Sequence, residues 1–158
     1  MKKAVILAGL MVFLLAGQVF AQELSYRVHA ADIGWMAYVP MGRTGGTSGQ
    51  GRRIESIQLR LTGAPAGSNI EYQVHQANIG WGTAWLRNDQ EAGATGRSLQ
   101  LEAIRVRLSG PVSQQFDVMY RVHMTDIGWG PWVTNGADAG TTGQSRRIEA
   151  IQVVLVNK

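Results

Sequence analysis

Apolar and polar side chains alternate strictly along two stretches in each third of this chain. In IEYQVH, Ile70, Tyr72 and Val74 fall on one face and Glu71, Gln73 and His75 on the other. In AIRVRL, Ile104, Val106 and Leu108 alternate with Arg105 and Arg107. The matching sets elsewhere are Ile57, Leu59 and Leu61, and Ile151, Val153 and Leu155. A period of two over such lengths predicts strands with one buried face. The apolar residues are largely the β-branched and aromatic types that suit a pleated surface. No segment carries a convincing 3.6 period, so the chain reads as all-β.

The alternation recurs because the sequence does. Histidines at 29, 75 and 123 are each followed six residues later by a tryptophan, Trp35, Trp81 and Trp129. A glycine-rich turn follows: Gly46-Thr47-Ser48-Gly49, Gly93-Ala94-Thr95-Gly96 and Gly140-Thr141-Thr142-Gly143. Six residues past each turn stands a glutamate, Glu55, Glu102 and Glu149. The stretches TGAPAGS (62–68) and SGPVSQQ (109–115) punctuate the chain. They divide it into units at 23–66, 67–112 and 113–158. Each unit predicts a three- or four-stranded antiparallel sheet that cannot bury its apolar face alone. Three of them can, around a pseudo-threefold axis, which predicts a β-prism, with a β-trefoil or an open array as alternatives.

The first residues change the picture of where the protein works. Lys2 and Lys3, an apolar run from Ala4 to Phe20 and Ala21 have the form of a secretory signal at 1–21. The run is short for a span of roughly 20 residues, no basic cluster follows it, and no cysteine offers a lipid anchor. The expected mature protein is Gln22–Lys158, 137 residues forming one secreted domain without membrane insertion. Without Lys2 and Lys3 the chain carries 13 bases against 11 acids, a net +2. Twelve of those bases are arginines scattered along the chain, which gives no reason to expect nucleic acid. With no cysteine there is no disulfide, so the core must hold the fold.

The run Tyr-x-Val-His-x-x-Asp/Asn-Ile-Gly-Trp, followed in unit 3 by AGTTGQSRRIEAIQV (139–153), resembles the clostridial hydrophobic W repeat. Unit 1 departs from it at Met36-Ala37-Tyr38 and Gly45-Gly46. Unit 2 has one extra residue before Trp85 and carries Asp89-Gln90-Glu91. The resemblance implies an exported protein, often associated with a surface or a polymer, and names no ligand.

The residues sort into expected roles. Parity with Val39, Leu86 and Val133 predicts Trp35, Trp81 and Trp129 in the shared core. Tyr38, Trp85 and Trp132 fall on the opposite face, beside Asn88 or Thr134-Asn135. An exposed ring flanked by amides suits stacking on the C–H face of a sugar. Asp32, Asn78 and Asp126 supply a polar rim, or else serve only to shape the turn before Ile-Gly. The histidines are expected to be solvated, in pairs with Glu55, Glu102 and Glu149, rather than to converge on zinc. The glutamates occupy equivalent positions in separate units, which argues against an asymmetric catalytic pair. No catalytic residue, metal or cofactor is expected. The expected function is a secreted, lectin-like module for a polysaccharide or surface glycan; the alternative is an adhesion module for a cell-surface protein.

Overall fold

The computed structural model describes residues 21–158; residues 1–20 of the expected signal segment lie outside the described residues. Unit 1 comprises β1 (Glu23–Ala30), β2 (Gly34–Trp35), β3 (Val39–Pro40), β4 (Gly45–Gly46) and β5 (Ile54–Thr62). Unit 2 repeats the order as β6 (Asn69–Gln76), β7 (Gly80–Trp81), β8 (Leu86–Arg87), β9 (Ala92–Gly93) and β10 (Leu101–Ser109). A single helical turn, α1 (Val112–Gln115), leads into β11 (Phe116–Met124), β12 (Gly128–Trp129), β13 (Val133–Thr134), β14 (Ala139–Gly140) and β15 (Ile148–Asn157). The protein is all-β, as the alternation predicted, apart from that turn in the second joint.

Each unit is built on one long antiparallel pair, β1 with β5, β6 with β10 and β11 with β15. The short strand that holds the tryptophan and the one that follows the second aromatic both fold back on the outer edge of the first long strand. The fifth strand of every sheet comes from another unit. β4 of unit 1 pairs with β15 of unit 3, β9 of unit 2 with β5 of unit 1, and β14 of unit 3 with β10 of unit 2. This cyclic exchange closes the ring in the expected prism-like arrangement, so an open array is not formed.

The exchange requires glycine. Gly46, Gly93 and Gly140 have φ of +94°, +111° and +105°. A Cβ there would lie 2.2–2.4 Å from the carbonyl oxygens of Glu149, Glu55 and Glu102 in the neighbouring unit. Those same carbonyls accept the next backbone N–H, from Thr47, Ala94 and Thr141, at 3.0–3.1 Å. Backbone approaches backbone with no room for a side chain.

Tyr26, Tyr72 and Tyr120 are the large rings of the core, each fully buried. Their hydroxyls stitch the units together in the same cyclic sense. Tyr26 donates to the Arg43 carbonyl and accepts from the Val153 N–H at 3.1 Å, across the joint with unit 3. Tyr72 donates to Gln90 O and meets the backbone of Leu59, and Tyr120 donates to Ala137 O and meets that of Val106. The inward Val, Ile and Leu of all six long strands form one cluster around these rings.

Trp35, Trp81 and Trp129 are therefore not in the core. They are half-buried on the outer faces, directly opposite His29, His75 and His123 across the strand pairs. Parity breaks down because residues 36–38 and their equivalents are not regular strand. Met36, Gly82 and Gly130 turn their N–H groups to Val28, Val74 and Val122 at 2.9–3.1 Å. That irregular step lets Val39, Leu86 and Val133 pack on the core while the preceding tryptophan faces out.

Candidate functional site

The outer face of each sheet carries the unusual chemistry. At its turn end lies a buried carboxylate. Glu55, Glu102 and Glu149 each occupy the register shift where a long strand pairs past its histidine, a β-bulge that re-aims one side chain. Their carboxylates lie 3.2, 3.2 and 3.5 Å from Nδ1 of His29, His75 and His123, with side chains only 4–5% exposed. Each Nδ1 is sealed from solvent and approaches the carboxylate out of line for a hydrogen bond. Arg53 and Arg147 complete the group in units 1 and 3, at 2.8 and 3.0 Å, and Gln100 takes that place in unit 2 at 3.4 Å. The expected histidine–glutamate pairing is present in all three units, but the histidines are not solvated. Their side chains are only 15–19% exposed, because each is packed between its glutamate and its tryptophan. The three pairs sit in three separate sheets, and no cluster of three metal-ligating side chains occurs among the described residues.

Each imidazole also meets its tryptophan edge to face, with ring centres 5.5–5.6 Å apart. Over each tryptophan ring lies a guanidinium. Arg27 stands 4.8 Å from both the Trp35 and Tyr38 ring centres, and Arg121 stands 4.8 Å from Trp129 and 4.7 Å from Trp132. In unit 2 two arginines share the task, Arg105 at 3.9 Å from Trp81 and Arg107 at 4.0 Å from Trp85. Such contacts contribute about 0.5–2 kcal/mol each and fix the rings in place. Every unit thus presents histidine, tryptophan, arginine and a second aromatic in a row.

The sequence singled out six residues for sugar contact, and the structure distributes them over two regions. Tyr38, Trp85 and Trp132 belong to the aromatic rows. Trp132 is the most open of them, 38% exposed. Tyr38 instead binds a neighbour: its hydroxyl donates to Asp89 of unit 2 at 2.6 Å, and Arg60 covers it at 3.8 Å. It also borders an open hollow of about 390 Å³ with Leu24, Pro40 and Met41. Trp85 stands beside a group peculiar to unit 2, where Glu71 takes Arg87 at 2.9 Å and Arg107 at 2.6 Å. Burial pushes the Glu71 carboxyl up, but the two guanidinium groups outweigh it and hold it below the usual range.

Asp32, Asn78 and Asp126 lie in the turns after the first long strands, exposed, with φ of +64° to +65°. Asp and Asn tolerate this left-handed conformation better than most residues. Asp32 meets Arg52 at 3.3 Å. Asp126 lines an open cleft of about 490 Å³ with Ile127, His123, Arg147 and Glu149, closed on one side by Gly49 and Gly51 of unit 1. Among the described residues none of these three contacts the second aromatic of its unit by hydrogen bond or ion pair; the turn residues go with the histidine end of the row.

The family model described as clostridial hydrophobic W matches the chain at residues 29–63, 75–110 and 123–157, together more than half of it. The chain belongs to this family. No curated protein and no solved structure matches it. Each clostridial hydrophobic W repeat here runs from the histidine, through the aromatic row and the exchanged strand, to the end of the long return strand. The repeat is therefore a unit of sequence but not of packing, because its central strand completes another repeat's sheet.

The arginines of the rows were the residues that sequence reasoning missed. A signal for them was available. Arg27 faces Gln58, Gln73 faces Arg105 and Arg121 faces Gln152. Unit 2 swaps the two residue types between strands and so keeps one guanidinium under the first tryptophan.

Proposed function

We propose that this clostridial hydrophobic W protein is a secreted, non-catalytic module that binds a polysaccharide or a cell-surface glycan through the outer faces of its sheets. One observation carries the reading: each face holds two aromatic rings against arginine, with polar side chains alongside, on a surface the core does not use. Aromatic rings take the C–H face of a sugar, and neighbouring donors and acceptors take its hydroxyls. Each face alone binds weakly. Three faces on one rigid ring gain by effective concentration when the ligand is a repetitive polymer.

The faces differ in how open they are, and unit 3 with Trp132 offers the freest ring. Affinity electrophoresis in soluble polysaccharides, with pull-down on insoluble cell walls, tests the reading. The wild-type protein is expected to be retarded by at least one polymer. Trp132→Ala is expected to weaken that retardation at least about fivefold, and Tyr38→Ala, Trp85→Ala and Trp132→Ala together to abolish it. Because Trp132 is partly exposed, its loss alone is expected to cost no more than about 1 kcal/mol of stability. Retardation that a folded triple variant keeps would remove these rings from the site. No binding to any polymer or wall would remove the function.

The exposed turn isoleucines, Ile33, Ile79 and Ile127 at 46%, 58% and 50%, favour a second reading, contact with a surface protein. That reading predicts a partner lost on Ile127→Ser and retained on Trp132→Ala, the reverse of the glycan result.

A further inference from the structure

The three outer faces carry the same row but not the same charge. In unit 2 the guanidinium under the first tryptophan is neutralised: Arg105 is paired with Asp138, which arrives just ahead of the exchanged strand β14. The equivalent residue is Glu91 on the face of unit 1 and Thr44 on the face of unit 3. Glu91 is occupied by the Ser56 hydroxyl at 2.7 Å and the Thr95 N–H at 3.3 Å. Thr44 carries no charge and accepts from Gln152 at 3.0 Å.

Arg121 is left with aromatic and neutral partners. Its Nε donates to Gln152 Oε1 at 2.9 Å, and it stands beside both Trp129 and Trp132. Among the described residues no carboxylate pairs with it, whereas Arg53, Arg87, Arg105, Arg107 and Arg147 all have one. Arg27 of unit 1 also bonds a glutamine, Gln58 at 2.7 Å, but Asp89 holds the hydroxyl of the Tyr38 ring beside it and Glu91 joins its face. On the face of unit 3, by contrast, the Asp117 carboxylate is taken up by Asn135 at 2.8 Å and Lys158 at 3.5 Å. A guanidinium fixed by its rings and by its Nε keeps its terminal N–H groups in a set orientation. That fork matches the oxygens of a carboxylate or an ester sulfate. The ring beside it, Trp132, is the most open aromatic among the described residues.

The geometry points to an acidic glycan as the ligand of the unit 3 face, with Arg121 binding the anionic group and Trp132 stacking on the sugar that bears it. This rests on the glycan reading above and narrows it to one face and one class of polymer. The face of unit 2, where Asp138 already fills the anion's place, is not expected to share the preference.

Affinity electrophoresis of the full mature chain in polygalacturonate, in its fully methyl-esterified form, in dextran sulfate and in neutral dextran tests it. The wild type is expected to bind an acidic polymer at least about tenfold more tightly than its neutral counterpart. Polygalacturonate against its ester reads a carboxylate ligand, and dextran sulfate against dextran reads a sulfate. Arg121→Gln is expected to remove the preference. Thr44→Asp places on this face the carboxylate that unit 2 already has, leaves the stack intact, and is expected to reduce the preference to within about twofold. Equal binding of acidic and neutral polymers would overturn the inference and leave the glycan reading standing. A preference that survives in folded Thr44→Asp and Arg121→Gln would reveal general charge attraction and overturn it too. Failure to bind any polymer would overturn both.

Discussion

Gly93→Ala is expected to be strongly destabilising, as is its counterpart Gly140→Ala. The Gly93 φ of +111° lies beyond the narrow left-handed region that an L side chain tolerates. That alone costs about 1–3 kcal/mol. The added Cβ would also lie 2.2 Å from the Glu55 carbonyl oxygen and 2.9 Å from Ser56 Cα, both backbone atoms of another unit. Neither can move without breaking the pairing of β9 with β5, so the cost exceeds the conformational one. A loss of at least about 3 kcal/mol is expected, seen as a fall of roughly 10 °C in the thermal midpoint. Gly96→Ala is the control. Its φ is +72° and nothing lies within 4 Å of the added methyl, so about 1 kcal/mol is expected. Equal effects at the two sites would mean that the close strand exchange does not hold the ring.

The second large effect is a collapse of stability in alkali. Burial raises the pKa of Tyr26, Tyr72 and Tyr120 above the ordinary tyrosine value, and backbone hydrogen bonds only partly oppose it. The folded state therefore keeps protons that the unfolded chain releases near pH 10. The stability these residues contribute is fully present below that pH. It is lost as pH rises from there through their folded values, at up to about 1.4 kcal/mol per pH unit for each ring. Urea unfolding is expected to show a flat midpoint from neutral pH to about 10, then a steep fall accompanied by tyrosinate absorbance. Gradual ionisation of all four tyrosines in a still-folded protein would contradict it. Tyr26→Phe complements this at neutral pH. It strands the Val153 N–H and the Arg43 carbonyl, and is expected to cost about 1–3 kcal/mol.

Both effects sit where the units meet, and that is where the amino-acid sequence was hardest to read. The long strands were legible because alternation from Ile70 to Val74 or Ile104 to Leu108 needs only one sheet with one buried face. The exchanged strands span two residues each, too short for any period. A glycine turn such as Gly93–Gly96 has the same composition whichever sheet it joins. Trp35, Trp81 and Trp129 were misplaced for a related reason. Parity can be carried along a strand only while the strand continues, and it breaks at residues 36–38. The large core ring is instead the tyrosine three residues before each histidine, which alternation had already put on the inner face.

The candidate site was half legible. The pairing of histidine with glutamate was expected, but alternation alone puts Glu55, Glu102 and Glu149 on the inner face with Ile57, Ile104 and Ile151. The bulge that turns them toward the histidines carries no mark in composition. The aromatic positions Tyr38, Trp85 and Trp132 could be picked out, but their partners are arginines and a neighbour's Asp89 rather than the turn residues Asp32, Asn78 and Asp126. Charge on each face depends on which unit supplies the exchanged strand, so the exception at Arg121 becomes visible only once Thr44 is seen beside Gln152.

The five tryptophans give a direct test of ligand binding on the outer faces. Their indole N–H signals, assigned by single Trp→Phe variants, can be followed by NMR while an oligogalacturonide or a neutral cello-oligosaccharide is added to the folded protein. Saturable shifts led by Trp132 and Trp129 are expected, with the acidic sugar acting at lower concentration. Indole signals that stay fixed while the turn residues around Ile33, Ile79 or Ile127 move, or no movement at all with either sugar, would contradict binding at the aromatic rows.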